Sequence, residues 1–347
     1  MNKRICQSAA VLLLFTACGG GSAGTTSAPT PASAAPAAAY YAYVGAESAD
    51  LIHRIKFDAS GVSIDQTTPV GEISVETEGP HGLNVSPDGK YLYMTTAHGV
   101  PDGKMWKFAA GPDTLVAAPI LLGNFPATLD LTPDGLYAFV ANFNLHGEHV
   151  ASTVSVVYTP DMVEVDQIAT CTMPHGLRMS PDGLYAYSNC MMDDQMVEID
   201  TRTFEVSRRF MVATGREAAL TGYAAPEVLT GPNGMIRGSE SMAPMGAMSE
   251  PSCSPTWVEP APDNQTLYVA CNKSDEILVI DRADWSLVRK FPTGRAPYNL
   301  GITPDGTVLV ASLKSAGQVQ FFDAATGESR AVVPSTTTVT HGVAVTP

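Results

Sequence analysis

One four-residue turn, repeated along the chain, constrains the fold more than any other feature. Ser86-Pro87-Asp88-Gly89 separates the apolar run Gly82-Leu83-Asn84-Val85 from Tyr91-Leu92-Tyr93-Met94. The same spelling returns as Thr132-Pro133-Asp134-Gly135, Ser180-Pro181-Asp182-Gly183 and Thr303-Pro304-Asp305-Gly306, with a decayed copy at Ala261-Pro262-Asp263-Asn264. Proline presets φ at the first central position of a type I turn, aspartate suits the next, and glycine takes the left-handed position that follows. Each copy therefore predicts a β-hairpin. Five hairpins in series mean a repeat architecture.

The repeat has the length of a propeller blade. The segments carrying these turns open at His81, Pro126, Pro174, Pro255 and Pro297, and a further opening stands at His341; the intervals are 45, 48, 81, 42 and 44 residues. Four strands fit in about 40–45 residues. No stretch holds a 3.6-residue period, so the class is all-β. His341-Gly342-Val343-Ala344-Val345-Thr346-Pro347 reads as a first strand that stops at its turn, and Tyr40-Tyr41-Ala42-Tyr43-Val44 as a second strand that lacks a first. Joined, they complete a blade and close the ring, removing two open sheet edges. The count is six blades of four strands. The 81-residue interval leaves seven as the alternative, but residues 214–252 are rich in Gly, Pro, Ala and Met, and read as an insertion.

The residues also carry a family resemblance. Ser86-Pro87-Asp88-Gly89-Lys90-Tyr91-Leu92-Tyr93-Met94-Thr95-Thr96 resembles the repeat of YVTN-type β-propeller proteins. So does Thr266-Leu267-Tyr268-Val269-Ala270-Cys271-Asn272, followed by Ile277-Leu278-Val279-Ile280-Asp281 and Val288-Arg289-Lys290-Phe291-Pro292-Thr293-Gly294. The resemblance spans about residues 40–347. It implies the fold; the functions it implies range from surface-exposed or periplasmic binders to, in distant relatives, copper or haem enzymes. Fold alone does not choose among these.

Residues 1–17 read as an export signal. Lys3 and Arg4 precede Ala9-Ala10-Val11-Leu12-Leu13-Leu14-Phe15, a run too short to span a bilayer. Phe15-Thr16-Ala17-Cys18 resembles the bacterial lipoprotein box, which implies cleavage before Cys18 and a lipid on its sulfur. Residues 18–39, Gly/Ser/Thr/Pro/Ala-rich and uncharged, form a tether, and residues 40–347 form the propeller. Gly19 beside the lipidated cysteine favours the outer membrane over inner-membrane retention, in the periplasm or at the cell surface. Loss of Lys3 and Arg4 leaves 18 Lys and Arg against 35 Asp and Glu, net −17. That charge excludes a nucleic-acid binder that works by phosphate neutralisation. A monomer is expected.

None of the familiar catalytic spellings occurs: no nucleophile elbow, no phosphate loop, no H-E-x-x-H and no C-x-x-C. The topology is more informative. If the Pro-Asp-Gly turns mark the bottom of the ring, the loops between second and third strands and the links between blades lie on top. His81, His175 and His341 then open first strands there. His98, His146 and His149 fall in top loops, and His53 near the start of a third strand. Met242-Ala243-Pro244-Met245-Gly246-Ala247-Met248 lies in the insertion. Cys190 and Cys271 end second strands, while Cys171 and Cys253 precede first strands. The separations of 19 and 18 residues, counted outward from each hairpin turn, predict disulfides Cys171–Cys190 and Cys253–Cys271, one per blade.

The expected function is a non-enzymatic binding protein whose top face holds a protein or small-molecule ligand. The alternative is a transition-metal site, most plausibly copper, built from His81, His175, His341, Met242, Met245 and Met248 with help from cysteine. Met191, Met192 and Met196 add thioethers from the neighbouring blade. Thioether and thiolate suit Cu(I), and imidazole suits Cu(II) or Zn(II). A copper-dependent oxidoreductase would be remotely like the propeller of nitrous oxide reductase, whose many-His cluster and electron-entry domain have no counterpart here. Each feature also has a structural explanation. The histidines can hydrogen-bond neighbouring blades, and the methionines can form an apolar cover.

Overall fold

The computed structural model describes residues 39–58, 60–73, 75–98, 103–145, 147, 150–222 and 250–334, with backbone alone at 228–230 and 236–238. They form six antiparallel sheets arranged as the blades of a propeller. Blade 1 contains Tyr40–Ala46, Leu51–Asp58 and Gly61–Pro69. Blade 2 contains Pro80–Val85, Tyr91–Thr96 and Lys104–Ala109, with Thr114–Leu115 and Ile120–Leu121 both pairing to the third strand. Blade 3 contains Pro126–Leu131, Tyr137–Asn142, Ala151–Tyr158 and Val163–Thr172. Blade 4 contains Pro174–Met179, Tyr185–Cys190, Gln195–Asp200 and Glu205–Met211. Blade 5 contains Pro255–Pro260, Thr266–Cys271, Glu276–Asp281 and Ser286–Pro292. Blade 6 contains Pro297–Ile302, Val308–Leu313, Gln318–Asp323 and Ser329–Pro334.

The turns fold as their spelling requires. In the first, the Gly89 amide donates to Ser86 O at 2.8 Å, and Gly89 has φ +72°. Ser86 Oγ donates to the Asp88 carboxylate and also accepts from the Tyr91 amide, which locks the hairpin from inside. Gly135, Gly183 and Gly306 repeat the left-handed position, and Asn264 takes it at φ +59° in the decayed copy. Asparagine tolerates that region better than most residues.

In blades 2 to 5 the second and third strands are buried on both faces, because each blade packs on the next. This is why they read as continuous apolar runs rather than alternating ones. Phe139, Val154, Val156, Leu177, Ala186 and Ile199 fill the joint between blades 3 and 4. Tyr187, Phe210, Val258, Val269, Leu278 and Trp285 fill that between blades 4 and 5. The innermost strands of blades 2 to 6 lie side by side in chain order, and Tyr40–Ala46 lies against Pro80–Val85.

The long interval does not hold a seventh blade. Ala218–Leu220 adds a fifth strand to blade 4 by pairing with Glu205–Met211, and Val228–Thr230 pairs with Ile236–Gly238 as a separate hairpin. The segment thus contains short strands that its composition did not announce. The expected pairing of residues 341–346 with Tyr40–Val44 lies outside the described residues.

Candidate functional site at the channel mouth

Five blades open in the same way. Gly79, Phe125, Met173, Ser254 and Ala296 each have φ between +49° and +67° and each precedes the proline that starts an innermost strand. Their carbonyls accept from the first residue beyond the adjacent second strand: Ala97, Phe143, Met191, Asn272 and Lys314. Aspartates hold several of these entries. Asp50 accepts from the amides of Glu78 and Gly79, Asp194 from those of Ser252, Cys253 and Ser254, and Asp275 from that of Ala296. The result is a rigid upper rim.

The second residue of each innermost strand sits just inside this rim. His81 Nδ1 lies 2.8 Å from Ala127 O, and His175 Nδ1 lies 3.0 Å from Thr256 O, so both rings donate from Nδ1 to the next blade. Thr128 Oγ1 donates to His175 O, and Thr256 Oγ1 to Pro297 O at 3.2 Å. These bonds stitch four successive blade junctions. Glycine after each histidine makes the approach available. A Cβ on Gly82 would stand 2.6 Å from Ala127 O, and one on Gly176 would stand 2.3 Å from Thr256 O. The structural explanation of His81 and His175 is therefore realised.

The histidines also meet each other. The His81 and His175 rings are 5.8 Å apart, edge to face, across the Ala127 position. Tyr298 OH donates to His175 Nε2 at 2.9 Å, which fixes that ring's tautomer with its proton on Nδ1. His98 Nε2 meets Glu47 Oε1 at 2.8 Å. Phe125 packs edge-on against both His81 and His98, and Phe143 against His175. Burial pushes the His81 imidazole below its usual pKa, with Glu47 opposing the shift. Burial likewise lowers the Lys314 ammonium, whose Nζ lies 4.3 Å from the Tyr298 ring centroid.

Deeper in the channel, the fifth residue of the innermost strand is polar or charged in blades 2 to 5: Asn84, Asp130, Arg178 and Glu259. Asn84 Nδ2 donates to Asp130 Oδ1 at 2.6 Å. Arg178 Nε donates to Glu259 Oε2 at 3.2 Å, and Arg178 Nη1 lies 4.0 Å from Asp130 Oδ2. Trp257 Nε1 also donates to Glu259 Oε2, and the guanidinium lies 5.0 Å from the Trp257 ring centroid. Burial raises the Glu259 carboxyl above the usual range, although Arg178 and Trp257 pull it down. These groups were missed in the sequence. The available signal was a register one: aligning the innermost strands on their first proline puts Asn84, Asp130, Arg178 and Glu259 at one position.

A cavity of about 520 Å³ lies on the axis. Its lining comes from all six blades: Tyr41 and Val44, then Leu83, Thr128, Arg178, Trp257 and Asn299. Glu47 and His81 mark its upper end.

The other candidate ligands separate. His341, His146, His149, Met242, Met245 and Met248 lie outside the described residues. His53 Nδ1 meets Thr67 Oγ1 within blade 1. Met191 and Met192 are half-buried against Phe125, Phe143 and Met173 near the mouth, whereas Met196 is fully buried between blades 4 and 5 and cannot serve a site on the face. All four domain cysteines are bonded, as Cys171–Cys190 and Cys253–Cys271, so none supplies thiolate. The one-per-blade arrangement needs correcting. Cys171 belongs to the outer strand of blade 3, so its bond crosses into blade 4. Among the described residues, no three His, Cys, Asp or Glu side chains are grouped to hold a metal ion.

No protein-family model and no curated protein matches the chain. Solved structures do. A functionally unknown protein from Desulfotomaculum acetoxidans aligns with TM-score 0.61 and 12% identity, over 87% of this chain and 84% of that one. The Cps50 (Swd1) β-propeller domain of Myceliophteria thermophila aligns with TM-score 0.56 and 12% identity, over 88% and 92%. Hydrazine synthase of Kuenenia stuttgartiensis aligns with TM-score 0.50 and 17% identity, over 82% and 92%. At these identities the likeness is one of fold. The two disulfides point to an oxidising, exported setting, and no described helix is long and apolar enough to cross a membrane.

Proposed function

We propose that this is a lipid-anchored, exported binding protein that holds its ligand at the top of the propeller axis. The axial cavity carries this reading. Its volume falls within the 300–1,000 Å³ range of small-molecule sites, and apolar walls with a few converging polar groups are their usual lining. The rim that surrounds it is held by backbone and aspartate bonds, so the site is formed before a ligand arrives. Residues 1–17 would direct export, Cys18 would carry the lipid, and the tether would set the domain off an outer membrane. Native mass spectrometry of protein extracted without denaturant tests the cavity. A co-purifying small molecule, lost in Val44→Trp, is the expected result. Val44 lines the cavity and is 43% exposed, so the larger ring can be tolerated. Cys18→Ser tests the anchor, and should move the protein from the membrane to the soluble fraction.

A second reading is a copper or other transition-metal site. The specific support is that His81 and His175 converge with Nδ1 of each tied to a backbone carbonyl. That is the outer-shell arrangement of metal-ligating histidines; Nε2 would be the coordinating atom, and at His175 the metal would have to displace the Tyr298 hydroxyl. Elemental analysis of protein purified from its native compartment tests it.

A further inference from the structure

Six of the seven described lysines are bonded, and the seventh stands at the channel mouth. Lys56, Lys90, Lys104, Lys273 and Lys290 pair with carboxylates, and Lys107 Nζ donates to Thr159 O. Among the described residues, Lys314 Nζ has neither a hydrogen bond nor an ion pair; it lies against the Tyr298 ring, 4.3 Å from the centroid. The chain has 35 Asp and Glu against 20 Lys and Arg, so this lysine is not left unpaired for want of acids.

The fold fixes where the amine stands. Lys314 is the first residue beyond the second strand of blade 6, and its amide donates to Ala296 O, so the rim holds its backbone. Tyr298 is the second residue of the adjacent innermost strand, in the layer of His81 and His175, and its hydroxyl bond to His175 holds the ring that the amine lies against. His175, His81 and Glu47 line the upper end of the cavity, so the amine borders that space. Lys314 is half-buried, and burial lowers its pKa against the opposing charge of Glu47. More of it is therefore neutral, the nucleophilic form, than of an exposed lysine at the same pH. Charge then selects the ligand class. An anion drawn to Lys314 would also face Glu47, whose charge acts on the same nitrogen. A neutral carbonyl compound meets no such repulsion, and its condensation product is a neutral imine, which burial favours over an ammonium.

We infer that Lys314 captures a small aldehyde or ketone as an imine, with the rest of that molecule lying in the axial cavity. Nζ bonds to the carbonyl carbon as the π pair of the C=O bond moves to oxygen. Both protons of the neutral amine end on that oxygen, which leaves as water as the C=N bond closes. The reaction needs no oxidant or reductant, and hydrolysis reverses it. Leu83, Leu129 and Val44 offer apolar wall to the body of the molecule. Only this placement of the body rests on the cavity being the ligand site; the chemistry of the amine does not.

Reductive trapping of the full mature protein at pH 7, with sodium cyanoborohydride and either formaldehyde or benzaldehyde, tests it. Peptide mapping by mass spectrometry reads the rate at each lysine. With both probes Lys314 should label at least tenfold faster than Lys90 or Lys273, although both of those are more exposed. That ratio should narrow as the pH rises towards 10, because exposed ammonium groups, with an ordinary pKa of about 10.4, also lose protons there. Lys314→Arg should remove the fast site and leave the thermal melt unchanged. The rate ratio is read in wild type, so it decides the matter even if that variant does not fold. Val44→Trp, which narrows the cavity, should slow benzaldehyde at Lys314 at least fivefold and leave formaldehyde unchanged. Formaldehyde labelling of Lys314 no faster than of Lys90 and Lys273 overturns the inference and leaves the cavity to its own mass-spectrometric test. Selective labelling in which Val44→Trp does not slow benzaldehyde overturns the placement in the cavity and counts against the cavity as the ligand site.

Discussion

Cys171 and Cys190 join two blades rather than two strands of one blade. Cys171 ends the outer strand of blade 3, opposite Ser152, and Cys190 ends the second strand of blade 4, opposite Pro174. Their bond closes the 19-residue stretch that carries the chain from one blade into the next. A closed loop of this length stabilises by about 3 kcal/mol in the chain-entropy account. Replacing both cysteines with alanine should lower unfolding stability by about 2–4 kcal/mol in urea titration. Non-reducing peptide mapping of exported protein should find the Cys171–Cys190 and Cys253–Cys271 peptides linked. Free thiols at all four positions would contradict the staple.

The turn carboxylates should make the fold acid-sensitive. Burial on its own would raise the Asp182 pKa. The Ser180 hydroxyl, the Leu184 amide, Asn264 and the charge of Arg282 outweigh it and bring Asp182 down to about 2. Asp323 is also held at about 2, chiefly by its bond to Arg330. Both lie below the ordinary aspartate value of about 3.9. A depressed folded-state pKa contributes stability that is full above about pH 4 and fades as pH falls towards 2. The urea midpoint should therefore show no contribution from these two groups between pH 7 and 5, then fall below pH 4. Asp182→Asn should flatten part of that fall. An unchanged acid limb in the variant would count against the assignment.

The turns were legible because their chemistry is local. Four residues fix the hairpin, and the period fixes the blade. The disulfide partners were legible for the same reason, since register counts outward from the turn. In blade 5 a bulge between Pro255 and Trp257 absorbs a residue and sets Cys271 opposite Pro255, a shift that counting from the turn does not show. Arg178 and Glu259 were not legible. They are 81 residues apart and meet only because two innermost strands lie side by side. His175 shows the same limit. Its place in the sequence suggested a bond to a neighbouring blade, but Tyr298, 123 residues away, could be assigned to it only from the closed ring.

Ring closure predicts a large penalty for trimming the C-terminus. Among the described residues, Tyr40–Ala46 pairs on one side with Leu51–Asp58 and has no partner on the channel side. Deleting residues 341–347 should leave that edge open to other chains. The expected result is aggregation on size-exclusion chromatography and loss of a single cooperative melting transition. A truncated protein as stable and as monodisperse as the full chain would rule out closure by this segment.

The metal reading stands or falls on atoms that the hydrogen bonds already sort. His81 and His175 commit Nδ1 to backbone carbonyls, so coordination would use Nε2, and at His175 it would displace the Tyr298 hydroxyl. His175→Asn should therefore lower Cu(II) or Zn(II) affinity by more than the about 10–100-fold that loss of an outer-shell partner costs, if the ring is a ligand. Tyr298→Phe should leave that affinity unchanged or raise it, because a competing hydrogen bond is removed. His81→Asn and His341→Asn should weaken the same ions separately. Met242→Leu, Met245→Leu and Met248→Leu together keep apolar volume but remove sulfur, so they should lower Cu(I) affinity and leave Cu(II) nearly unchanged. Both disulfides stay intact throughout, since no thiolate is required. Titrating wild type and variants against a competing chelator reads each affinity. Should wild type bind neither copper state more tightly than an acidic protein without histidines does, the metal site is excluded. In that case His81 and His175 act as blade-to-blade hydrogen bonders, and the axial cavity remains as the binding site.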